Sequence, residues 1–199
     1  MEIKEIDLKE RNITLFNDVD ESSVSSAVEK IVQLNQEDQM WIQSIETSLK
    51  VSGAKFTHSN KIDIEMPHIQ ILLSTYGGSV YDGLSLYDVI KNSDTKVDVT
   101  CFGKIMSMGI PILLASKTRK AYRNTTFMIH EVSSLSIGKI ADMEDEVQET
   151  KRLNKILFDI IQNETKITAD KLREIYEKKK DWYLTAEEAL ELGIITEIL

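Results

Sequence analysis

The chain has 199 residues, of which 42% are hydrophobic and 29% charged, and a formal net charge of −9 at pH 7. That length lies in the one-domain range and can bury a substantial core, while the acidic balance argues against a nucleic-acid partner, whose phosphates need clustered lysine and arginine. The longest apolar stretch, Ile110 to Ala115, is far short of the roughly 20 residues that a membrane-spanning helix needs.

Met1 to Asp7 has neither the basic start nor the apolar centre of a secretory signal, which predicts a cytoplasmic protein. Cys101 is the single cysteine, so an internal disulfide and a multi-cysteine metal site are both excluded. Its apolar neighbours Val99 and Phe102 mark it as a core thiol. The one basic run, Lys178 to Lys180, is too short to hold a phosphate backbone.

In chain order, Ile13 to Phe16 predicts a short strand, and Asp20 can cap a helix carrying Val24, Val28, Ile31 and Val32 at helical spacing. From Asn35 to Pro67 the pattern blurs: Met40, Trp41, Ile45 and Leu49 could line a helix, and polar loop segments around Gly53 and His58 follow. Residues 35–67 therefore read as an insertion. Ile69 to Leu73 is an apolar strand that runs through Ser74-Thr75-Tyr76-Gly77-Gly78-Ser79-Val80 into a helix with Leu84, Tyr87 and Ile90. A second such unit follows, with a strand over Val97 to Phe102, a turn over Gly103 to Met106 and a short helix over Ser107 to Ser116 that tolerates Pro111 in its first turn.

Lys120 to Tyr122 and Thr126 to Ile129 predict two further strands, and Ile137 to Gln162 a long helix that projects or packs on a partner. Thr168 starts another helix, Thr185-Ala-Glu-Glu is a capping box, and Gly193 stops its helix before a terminal strand over Ile194 to Leu199. The alternation implies an α/β fold, one domain over residues 1–199 with no linker dividing it.

Serine nucleophiles need a base, a group that orients the base, and donors for the oxyanion. Of three histidines, His58 and His68 read as surface or edge residues, whereas His130 closes the apolar strand Phe127-Met128-Ile129 where a scaffold presents functional groups. Its position alone is equally that of an ordinary edge histidine. Ser107 lies between Gly103 and Gly109 at a strand-to-helix junction, where unpaired N–H groups could hold an oxyanion. From position alone it reads first as a helix cap. Gly77 and Gly78 would let the backbone adopt positive φ and aim a second N–H at the same point. Asp181, beside Lys180 and near a helix start, reads by itself as a solvated or capping carboxylate.

Four segments in order, Ser74 to Val80, Gly103-Lys-Ile-Met-Ser107-Met108-Gly109, Met128-Ile129-His130, and Lys180-Asp181-Trp-Tyr-Leu-Thr-Ala-Glu-Glu-Ala, resemble the signature segments of the Clp protease proteolytic subunit. The resemblance runs from about Arg11 to the end. It implies a crotonase-like fold of repeated β-β-α units with a projecting handle helix, here residues 131–162. It also implies a triad of nucleophile Ser107, base His130 and orienting Asp181, with Gly78 and Met108 donating the oxyanion-hole N–H groups. The implied activity is that of a serine endopeptidase acting on peptides and proteins, with no bound cofactor or metal. The implied assembly is a homo-oligomer of two stacked seven-membered rings, and ATP enters only through a separate AAA+ unfoldase.

Tyr76 replaces the usual proline before the glycine pair, and Glu131-Val132 replaces the usual Gln-Pro after the histidine. These departures fall on the substrate groove more than on the triad, and a phage-type member acting in a host cytoplasm would suit them. An ATPase-independent processing protease is the alternative within the family. Outside it stand an inactive ring subunit, which would lose the triad, and a crotonase-like acyl-CoA enzyme, which would not need Ser107, His130 and Asp181.

Overall fold

The computed structural model describes residues 8–51, 64–133 and 137–199. The polar loop that carries His58, and the centre of the segment after His130, lie outside the described residues. After a short 3-10 turn (Leu8–Arg11), β1 (Asn12–Leu15) leads to α1 (Glu21–Val51), β2 (Ile69–Thr75), α2 (Val80–Lys91), β3 (Val97–Met106) and α3 (Gly109–Leu114). The chain continues as β4 (Thr118–Ala121), β5 (Thr126–Ile129), α4 (Ile140–Glu164), α5 (Ala169–Lys178), β6 (Trp182–Leu184), α6 (Ala186–Glu191) and β7 (Glu197–Ile198).

The strands form a sheet in the order β1-β2-β3-β4-β7, every neighbouring pair parallel, with β5 added to β3 in parallel and β6 to β5 antiparallel. The central strands are parallel and covered, so β2 buries both faces over Leu73 to Thr75. Ile31, Ile69, Ile71, Leu73, Leu86, Val99, Ile105 and Phe127 form the centre of the core. Cys101 is fully buried there, and desolvation pushes its thiol pKa far up, so it is an inert packing residue, as the sequence predicts.

The sequence divides the region after Asp20 into a helix and an insertion, whereas the structure has one 31-residue helix from Glu21 to Val51. The pattern blurs because the helix leaves the sheet: Val24, Ala27, Ile31 and Leu34 are buried, but Met40 is 61% exposed. Asp20 caps the helix, accepting from the Ser23 N–H at 2.8 Å. Arg11 makes a two-armed pair with Asp38 at 2.9 and 2.7 Å, and Thr95 donates to the same carboxylate at 2.5 Å. This buried cluster ties the start of the chain to α1 and to the entry of β3.

Strand β3 also outruns its predicted end. The sequence places a turn at Gly103 to Met106, but the strand continues to Met106 and changes partner, pairing with β4 over Asp98 to Cys101 and with β5 over Lys104 to Met106. Gly103, at φ 67°, supplies the bend between the two partners. The fork is what brings β5, and His130 after it, to the end of β3.

Helix α4 has two halves. Leu153, Asn154, Leu157 and Ile161 are buried, whereas every residue from Ile140 to Gln148 is exposed, including Ile140 (77%) and Val147 (50%). The projecting helix expected from the sequence is therefore present, beginning at Ile140.

Candidate active site

The turn after β3 sets Ser107. Its φ is 52°, a left-handed conformation rare for a residue with a side chain, and its N–H donates to the Met128 carbonyl at 2.9 Å. The helix cap is Met108, so the capping role that position suggests for Ser107 is not the one it takes. Its hydroxyl lies 2.7 Å from His130 Nε2 instead.

The antiparallel register of β5 and β6 pairs Phe127 with Leu184, Met128 with Tyr183 and Ile129 with Trp182. Carried one step further, it sets His130 opposite Asp181. The separation is 3.9 Å between His130 Nδ1 and Asp181 Oδ1, longer than a hydrogen bond, and the Asp181 side chain is 54% exposed. Ser107 and His130 are thus in contact, while Asp181 faces the imidazole across a gap.

The glycine turn is clamped against the same point. Val19 donates to the Gly77 carbonyl at 2.8 Å and accepts from the Ser79 N–H at 2.7 Å, and the Gly77 N–H donates to Thr75 Oγ1 at 3.0 Å. Gly77 (φ 99°) and Gly78 (φ 148°) both adopt the positive values expected. A Cβ on Gly77 would lie 2.7 Å from Ser107 Cβ and 2.9 Å from the Met108 nitrogen, which measures how tightly the two turns touch. Among the described residues, neither the Gly78 nor the Met108 N–H has a protein acceptor. Two free donors thus flank Ser107, the arrangement that an oxyanion requires.

Three supports escape sequence reading. Asn154, buried in α4, accepts the Val132 N–H at 3.0 Å and holds the segment after His130; its only sequence signal is an amide inside an apolar stripe. Strand β6 is three residues long and shows no alternation. The fork of β3 has Gly103 as its one mark. Tyr76, the departure before the glycine pair, is 63% exposed and lies under the Lys104 ammonium at 4.2 Å. His68, an expected edge residue, faces Asp98 at 3.0 Å, away from the site. No group of three or more His, Cys, Asp or Glu side chains among the described residues could hold a metal.

The family model described as Clp protease matches residues 61–199. The chain is 33% identical over 133 residues to an ATP-dependent Clp protease proteolytic subunit of Deinococcus radiodurans, a match covering 66% of this chain and 64% of that protein. The subunit of the same name from Borreliella afzelii is 26% identical over 194 residues, covering 96% and 84%. Among solved structures, a mutant ClpP1 from Listeria monocytogenes superposes with a TM-score of 0.73 at 22% identity, covering 96% of this chain and 92% of that one.

The fold is thus that of the α/β Clp peptidases. The chain belongs to the Clp protease family.

Proposed function

We propose that the protein is a serine endopeptidase subunit in which Ser107 is the nucleophile, His130 the general base and Asp181 the group that orients the imidazole. The observation that carries this reading is the 2.7 Å approach of His130 Nε2 to Ser107 Oγ. At that distance the hydroxyl proton passes to Nε2 as Oγ attacks a peptide carbonyl. The carbonyl oxygen, now negative, is received by the N–H groups of Gly78 and Met108. His130 then returns the proton to the leaving amine, and water taken through the same base releases the acyl group from Ser107. Asp181 stabilises the imidazolium after a shift that closes its 3.9 Å gap to Nδ1.

The subunit works as a homo-oligomer, two seven-membered rings joined through the exposed half of α4. Unfolding of protein substrates falls to a separate ATPase of the AAA+ class, in keeping with the "ATP-dependent" in the names of its relatives. The cytoplasm is its place of action; no helix among the described residues is long and apolar enough to cross a membrane.

Hydrolysis of a fluorogenic short peptide by the purified protein and by Ser107→Ala tests the assignment. The variant is expected to keep its circular dichroism spectrum and lose turnover by several orders of magnitude. Equal hydrolysis by both proteins would remove Ser107 from the mechanism.

A further inference from the structure

Beside Ser107 and His130 lies a cavity of about 60 Å³ whose walls differ in kind. Val80, Ile110, Val132, Leu157, Phe158 and Ile161 make it apolar, and Glu131 contributes to the same lining. Its volume is less than half of the roughly 150 Å³ that holds benzene in an engineered apolar cavity. A space of that size favours a slim unbranched chain over an aromatic ring.

Glu131 is half-buried, and among the described residues it forms no ion pair. A carboxylate partly withdrawn from water without a counter-ion gains when a cation arrives. Lysine meets both demands, since its methylene stem lies along apolar walls while its ammonium seeks a charged or wet partner. Because Ser107 and His130 themselves line the cavity, the side chain that enters is that of the residue whose carbonyl is attacked.

Resting on the peptidase reading above, we infer that Glu131 gives this cavity a preference for lysine over an uncharged side chain with the same four-carbon stem. The lysine stem takes the place of solvent along Val80, Leu157 and Phe158, and the ammonium reaches Glu131 at the wall.

Two peptides that differ only in lysine or norleucine at the attacked residue isolate the charge, because norleucine keeps the stem and lacks the ammonium. The kcat/KM of the wild-type protein is expected to favour lysine by about fivefold, the size of one partly exposed charge contact. Glu131→Gln should abolish the ratio, and raised salt should shrink it. In parallel, the affinities of product peptides ending in lysine or norleucine are measured by fluorescence anisotropy on Ser107→Ala, with and without Glu131→Gln, where the same ratio and the same loss are expected. A lysine-to-norleucine ratio of one or below, or one that Glu131→Gln leaves intact, overturns the inference. Selective binding with no hydrolysis anywhere would uphold the lysine preference of the cavity and remove the peptidase reading. Equal cleavage of both peptides would do the reverse.

Discussion

Ser107 stands in a backbone conformation that costs free energy, and the surrounding contacts hold it there: its N–H is bound by Met128, and Gly77 packs against its Cβ. Strain of this kind turns the hydroxyl out toward His130 and leaves the Met108 N–H free. Gly77 is the residue on which this arrangement most depends, because φ 99° disfavours a side chain and an added Cβ would meet Met106 O at 2.8 Å as well as Ser107. Gly77→Ala is expected to cost about 1–3 kcal/mol in chemical denaturation and to reduce peptide hydrolysis at least in proportion. Wild-type stability and turnover in that variant would show that the turn is not held as described. At this scale the sequence carried much of the site: the glycine pair, the serine between Gly103 and Gly109, and the histidine closing an apolar strand each had a stated chemical reason. Asp181 had none of its own. Its place depends on the pairing of Trp182–Leu184 with β5, a long-range contact that no local pattern encodes.

Among the elements, α1 and β3 show why boundaries were harder to read than identities. The single helix from Glu21 to Val51 passes out of the core, so its periodicity fades while its backbone continues. Strand β3 passes through a glycine that reads as a turn until its second partner, β5, is known. Helix α4 was legible as long and projecting, because Ile140, Met143 and Val147 recur at helical spacing without a charge-free core around them. Those residues are 77%, 41% and 50% exposed and form an exposed apolar stripe. Acidic Asp142, Glu144, Asp145 and Glu146 flank the stripe, and Lys179 and Lys180 precede Asp181. In the double-ring assembly proposed above, pairing through lysines, which make point-charge contacts and lack the fork of arginine, is expected to weaken as salt rises, and further in Lys180→Glu. Sedimentation velocity alongside peptide hydrolysis reads this out; assembly and activity indifferent to both changes would place these lysines as solvated surface charges.

Over the whole molecule, the parallel sheet and its fork place the glycine turn after β2, the serine turn after β3 and the end of β5 at one edge, where neighbouring strand ends converge. The alternation of strands and helices made this architecture readable, while the strand order required the structure. No Gly-x-x-x-x-Gly-Lys-Ser/Thr phosphate loop occurs in the 199 residues, so the chain has no such site to draw energy from ATP. Small peptides are therefore expected to be cut without nucleotide, and degradation of a stable folded protein to need an added ATPase; destruction of a folded substrate by the pure protein alone would contradict this. The most direct measurement concerns the nucleophile itself. Incubation with a serine-reactive fluorophosphonate, followed by mass spectrometry of the digested protein, is expected to give one covalent adduct, on Ser107, that Ser107→Ala and His130→Ala both prevent. An unmodified Ser107, or an adduct on another serine, would contradict the account.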